Sequence, residues 1–159
     1  YSMISKIRKK HYYIDLYNKF VYLTRNKILY LEIFLQDKLT TRIYLILFHL
    51  SFFLKFQKNK GYDKKKLQFI YDFFFKQIEN NLREDGFGDI TVNKKMKNII
   101  NLFNEILLYC DRWENIDKNK KNNFISEIFN DTSNKNFNVN KMAKYLDNFN
   151  KFTDYKSFI

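Results

Sequence analysis

The sequence has no proline, three glycines, one cysteine and two histidines in 159 residues. Proline and glycine are the strongest helix breakers. Their scarcity, together with long 3.6-residue periodicity, points to an all-α fold. A single cysteine, Cys110, excludes an intrachain disulfide and suits a reducing compartment. It shares an apolar helical face with Phe103 and Ile106, where a thiol packs as a small hydrophobe rather than acting as a nucleophile. With so few histidines there is no nucleophile–base constellation in the sequence. There is also no Cys/His cluster and no His pair four residues apart to hold a transition metal. No cofactor is expected. Long apolar runs are missing as well. The most apolar, residues 43–54, has 12 residues, against roughly 20 needed to span a bilayer. It reads as a buried core helix, with an interfacial membrane contact as the alternative. No internal repeat is evident, and no h-region with a small-residue cleavage site follows the basic N-terminus, so no secretory signal is expected.

What is present is apolar, aromatic and basic. Hydrophobic residues make up 45% and aromatics 19% of the chain, which argues against disorder. The length suits one compact domain with a real core. The expectation is a single all-α bundle of about six helices over residues 17–159, preceded by a basic aromatic arm over 1–16. The net charge of +12 favours anionic partners such as RNA, ribosome, acidic lipid or acidic protein. An A+T-rich genome would enrich lysine without any such partner, and both readings stand. The arm either lies on an anionic surface as a helix or is a solvated terminal helix.

Along the chain, residues 16–24 read as a helix with Leu16, Tyr17, Phe20 and Leu23 or Thr24 inward. Residues 28–37 suit a short helix or an extended buried segment. The helix predicted over 39–56 is apolar nearly all round, the pattern of a central bundle helix. Asp37 or Thr40 is its expected N-cap, and Gly61 its stop. His49 lies on it, and its ring should be satisfied by a backbone or side-chain partner. Lys58, Lys60, Lys64, Lys65 and Lys66 make a basic linker.

Residues 67–85 and 94–113 are amphipathic. Leu67, Ile70, Phe74, Ile78 and Leu82 share one face of the first. Met96, Ile99, Ile100, Phe103, Ile106, Leu107, Cys110 and Trp113 share one face of the second. Phe73, Phe74 and Phe75 cannot all face one core, so at least one should face another helix or a partner. Residues 117–123 and 130–138 read as polar loops around a short helix over 124–129. A last helix, capped by Asn138 or Asn140, carries Met142, Leu146, Phe149 and Phe152 inward.

The chain is organised around residues 82–97. Two of its glycines sit there in a polar turn between the two amphipathic helices. Gly86 falls where a helix stop is expected, and Asp89 or Thr91 is placed to cap the next helix. Glu84, Asp85 and Asp89 lack the alternate-oxygen spacing of a calcium loop. Gly86-Phe87-Gly88 lacks the Gly-Lys-Ser/Thr ending of a phosphate loop. Residues 81–97 match the pattern N-L-R-E-x-G-x-G-D-x-x-V-x-K-K-(M/V)-K at Asn81, Leu82, Arg83, Glu84, Gly86, Gly88, Asp89, Val92, Lys94, Lys95, Met96 and Lys97.

In this, the sequence resembles the ubiquinol–cytochrome c chaperones, assembly factors of the respiratory cytochrome bc complex. Asp37, Thr40, Arg42 and Ile43, followed by His49-Leu50, resemble a second stretch of that family, without its usual proline and glycine. Looser likeness extends from Tyr17 to Phe152.

The resemblance implies a non-enzymatic chaperone that binds newly made cytochrome b or another bc-complex subunit. A small partner subunit, the ribosome and a peripheral membrane contact are further candidates, and no small-molecule substrate is implied. The implied location is the cytoplasmic side of a bacterial inner membrane, or the matrix side in mitochondria; no presequence is evident in these residues, which points to the bacterial case. The partner-binding candidates are Asp37, Thr40, Arg42, His49, Phe75, Arg83, Glu84, Gly86, Phe87, Gly88, Asp89, Lys94 and Lys95. Phe75 and Phe87 are expected to supply exposed aromatics. The mixed charges around the turn either bind a partner or knit two helix ends together. The rival readings are a basic helical nucleic-acid- or ribosome-binding domain, a small-molecule enzyme using His49, and a membrane-surface protein docking through residues 1–13.

Overall fold

A computed structural model describes residues 2–153, except the side chain of Phe152. Tyr1 of the predicted arm and the Phe152 end of the last inner stripe therefore lie outside the described residues. The elements in order are α1 (Ser2–Leu23), a single turn α2 (Lys27–Leu31), α3 (Leu39–Asn59), α4 (Lys64–Glu84), α5 (Asp89–Asp111), a 3-10 turn (Trp113–Asn115), α6 (Lys118–Phe129) and α7 (Val139–Phe152). Six long helices and no strand, among the described residues, make the expected all-α fold. The arm and the first predicted helix are one continuous helix, α1, with no break at 16/17.

Helix starts follow the cap chemistry closely. Asp63, Asp117 and Asn138 each accept a backbone N–H with the side chain, at 3.0, 2.9 and 3.0 Å, meeting orphan donors of the first turn. Two expectations are corrected here. Residues 117–123 are not a loop: Asp117 caps α6, whose first turn is solvated and so carries no apolar period. Neither Asp37 nor Thr40 caps α3; Lys38 holds that position in extended backbone, and Asp37 instead pairs with Arg42 at 2.8 Å.

The hub is α3, against which α1, α4, α5 and α6 pack. Among the described residues it is the one helix long and apolar enough to cross a membrane. Here the other helices cover it: Leu45, Leu47, Phe48, Leu50 and Phe53 have no exposure. Burying an aromatic or aliphatic side chain of this kind is worth about 1.5–3 kcal/mol, so α3 is the main source of the core.

The three phenylalanines of α4 divide among their neighbours. Phe73 lies 5.7 Å from Tyr13 and Phe74 5.2 Å from Tyr17, both on α1. Phe75 lies 5.2 Å from Phe103 on α5. The extended segment after α2 is held by the loop before α7: Gln36 N–H donates to Thr132 O at 2.8 Å, and Asn138 N–H to Ile33 O at 2.9 Å. Phe34 there has φ +67°, rare for an aromatic residue; its carbonyl accepts from Asn134 N–H at 2.9 Å.

Candidate partner-binding site

Residues from two distant stretches of the sequence meet at one end of the bundle. Thr40 at the start of α3, Leu82 at the end of α4, and Lys95, Asn98 and Ile99 of α5 line one cleft of about 130 Å³. That volume admits a side chain, whereas small-molecule sites run to about 300–1,000 Å³. Arg42 and Asp37 do not line it; they form their ion pair across the start of α3.

The turn on its flank is built as the glycine spacing predicts. Gly86 has φ +96°, so it follows α4 in a backbone conformation that side chains resist. Gly86 N–H donates to Arg83 O at 3.0 Å, closing the helix end. Gly88, at φ −74°, is the N-cap of α5. Asp89 is therefore not the cap but the first helical residue, and α5 starts five residues earlier than the apolar period alone predicts. A carboxylate at that position is favoured by the helix dipole.

Arg83 ties the two helices: its guanidinium donates to Glu79 of α4 at 3.2 Å and to Asp89 of α5. The hydrogen bond to Asp89, then that to Glu79, raises the Arg83 pKa. The Glu79 carboxyl is lowered, first by Lys76 and then by Arg83. These pairs are exposed, and exposed pairs are worth little each. Their value is to orient the turn.

Lys95 places its ammonium 4.6 Å from the centre of the half-buried Phe87 ring, a cation–π contact that holds the ring against α5. Glu84 and Lys94 are exposed. Gly86 and Gly88 therefore differ in what they tolerate. Neither has an atom within 4 Å of an added Cβ, so backbone conformation and capping decide. Gly86→Ala is expected to cost about 1 kcal/mol, and Gly88→Ala less than about 0.5 kcal/mol, the N-cap preference for glycine over alanine being offset in part by alanine's smaller chain entropy. Urea midpoints of the two variants check this; equal losses would refute the assignment.

Two predicted partner-binding residues are placed elsewhere, and both are corrections. Phe75 is 5% exposed and stacks on Tyr71 at 4.4 Å, because its position on α4 points at α5 rather than at solvent. His49 is fully buried. Its Nδ1 lies 2.5 Å from Leu45 O and its Nε2 2.7 Å from the Tyr145 hydroxyl. A carbonyl only accepts, so Nδ1 carries the proton. Burial holds the ring pKa down to about 4, so Nε2 is bare and accepts from Tyr145. The imidazole is a fixed strut between α3 and α7 with no open face toward a substrate. Cys110 is buried too, and burial raises its thiol pKa well above the ordinary range, which opposes thiolate chemistry.

The sequence model of the family described as "Ubiquinol-cytochrome C chaperone" matches residues 32–146. The chain belongs to the ubiquinol-cytochrome C chaperone family. Comparisons with curated proteins and with solved structures found no match. The family assignment gives the chain a chaperone role in assembly of the bc1 complex, respiratory complex III, at the membrane, and with it interaction with bc1 components. The matched span starts in the extended segment after α2 and ends within α7. It contains both stretches that meet at the Thr40–Lys95 cleft, and it leaves α1 outside.

Two larger concavities were not singled out by periodicity, and one of them shares Tyr44 with this cleft. One, of about 320 Å³, sets Arg8, Lys9 and Tyr12 of α1 against Tyr62 and Lys66. Another lies between α5 and α6. For the second the sequence held a signal: Leu102 and Leu108 are apolar yet off the inner stripe of α5.

Proposed function

We propose that this family member is a non-enzymatic chaperone that holds newly made cytochrome b at the inner membrane, on the cytoplasmic face in a bacterium or the matrix face in a mitochondrion. The observation that carries the reading is the family match over 32–146, which takes in the hub helix, the glycine turn and the α5–α6 groove together. A membrane contact by α1 fits the same reading. Met3, Ile4 and Ile7 are 72%, 61% and 52% exposed beside Lys6, Arg8, Lys9 and Lys10. A basic helix with an exposed apolar stripe suits an anionic membrane surface.

One feature favours the nucleic-acid reading: Lys118, Lys121, Lys141 and Lys144 surround a surface groove of about 560 Å³. Of these, Lys121 is already engaged by Asp147 at 3.1 Å and by the Trp113 ring at 4.8 Å.

The test is affinity capture of the tagged chain from native membranes, with mass spectrometry, at low and high salt and with nuclease. Cytochrome b is expected to remain bound through both treatments. Recovery of ribosome or nucleic acid alone, lost on salt as phosphate contacts are, would overturn the proposal.

A further inference from the structure

A groove of about 430 Å³ runs between α5 and α6, closed at its base by Tyr44 of α3. Its floor is apolar. Tyr109 and Phe124 stack with centroids 3.7 Å apart and planes within 7°, and Leu102 and Ile128 extend the surface. Leu108 stands 62% exposed at its edge.

Its rim is acidic. Glu105, Glu127 and Asp131 share the lining with one cation, Arg112, and a second, Lys38, donates to the Asp131 backbone carbonyl at 2.8 Å. None of these three carboxylates is in an ion pair among the described residues. Residues 102, 105 and 108 step by three along α5, with Arg112 at its C-cap; 124, 127 and 128 share one face of α6, and Asp131 follows just past its end. Each helix thus lays apolar and acidic side chains along one face. A groove between two helices that sets an aromatic floor beside a polar rim suits the amphipathic end of a helix laid into it.

Charge decides which helix. The chain carries +12 overall, so a patch with three carboxylates against Arg112 in the lining and Lys38 at its edge still has the opposite sign to its surroundings. It repels phosphate and acidic lipid and attracts a cationic segment. Membrane-protein helices are Lys/Arg-rich at their cytoplasmic or matrix ends, next to their apolar span. We propose that the α5–α6 groove binds the Lys/Arg-flanked end of a client transmembrane helix, its apolar residues on the Tyr109–Phe124 floor and its cations on Glu105, Glu127 and Asp131. The inference rests on the chaperone reading and adds to it the surface and the client chemistry.

The test uses the full chain in its native cells, with the photo-crosslinker benzoylphenylalanine at Leu108 and, as control, at Phe69, which is exposed on α4. The expected product at Leu108, absent at Phe69, maps by mass spectrometry to the Lys/Arg-rich end of a membrane-protein helix. Glu105→Lys with Glu127→Lys should cut its yield about tenfold with helicity unchanged by circular dichroism; the paired Asp variants should retain it.

A crosslink to a second copy of this chain, whose own α1 is basic and partly apolar, would overturn the proposal. So would a yield that charge reversal does not move. If the tagged wild type captures cytochrome b while Leu108 yields nothing, the groove assignment fails and the chaperone reading stands. If Leu108 captures the cationic flank of an unrelated membrane protein and no bc-complex subunit is recovered, the groove chemistry stands and the bc-specific reading fails.

Discussion

Between pH 7 and pH 4.5 the folded chain is expected to lose about 2 kcal/mol of stability through one residue, His49. Its folded-state pKa is held at about 4 by complete burial, against an ordinary 6.5. In this interval the unfolded chain binds a proton at this site and the folded chain does not, so stability rises with pH. The contribution is full above pH 6.5 and declines as the pH falls from there toward 4. Protonation would put a second donor on Nε2 opposite the Tyr145 hydroxyl, inside a site closed by the Phe149 ring at 4.5 Å. The lowered carboxyls of Glu79 and Glu114 begin to lose their contributions as the pH falls through their ordinary value near 4.5, so the slope from pH 7 to 5.5 isolates the histidine. Thermal melts at pH 7, 6, 5.5, 5 and 4.5 should fall by about 4–8 °C in total. His49→Gln should flatten that slope even though it lowers the melting temperature at pH 7. An unchanged slope in the variant would show that another group is responsible.

Trp113→Ala is expected to cost about 3–5 kcal/mol, a large share of the roughly 5–15 kcal/mol that holds a domain folded. The side chain is 1% exposed and sits in the 3-10 turn after α5. It joins three elements. Its ring meets Phe52 of α3 edge-on at 5.4 Å. Its indole N–H donates to Asp147 of α7 at 2.7 Å. Lys121 of α6 lies over its face at 4.8 Å. Truncation would leave a cavity where these meet, and relaxation would have to move two helices to fill it. Trp113→Phe keeps most of the apolar contact, and the released Asp147 carboxylate is half-exposed to water, so about 1–2 kcal/mol is expected. Urea unfolding followed by far-ultraviolet circular dichroism separates the two, since each variant removes the chain's one tryptophan. A loss below about 1 kcal/mol for Trp113→Ala would show that α6 and α7 are held by other contacts.

The all-α class, the inner faces of the amphipathic helices and the family were legible in the amino-acid sequence. A buried helical face needs apolar residues every three or four positions, and that need is written locally. Ile70, Phe74, Ile78 and Leu82 of α4, and Ile99, Phe103, Ile106 and Cys110 of α5, are all buried where the period placed them. The glycine turn was legible for the same reason, because the left-handed backbone of Gly86 is a property of one residue.

Three things lay beyond that reach. The start of α6 was invisible because its first turn is solvated and held by the Asp117 cap rather than by apolar contacts. That His49 is buried with its ring satisfied was legible from its all-apolar helix, but its partner Tyr145 on α7, and the turning of Phe75 toward α5, depended on which neighbour each helix faces, and no local rule carries that. The meeting of Thr40 with Lys95, and of an acidic rim with an aromatic floor between α5 and α6, joins residues far apart in the chain. Only the packing of helices around α3 brings such residues together, because the direction in which one helix crosses another is set by side chains on both.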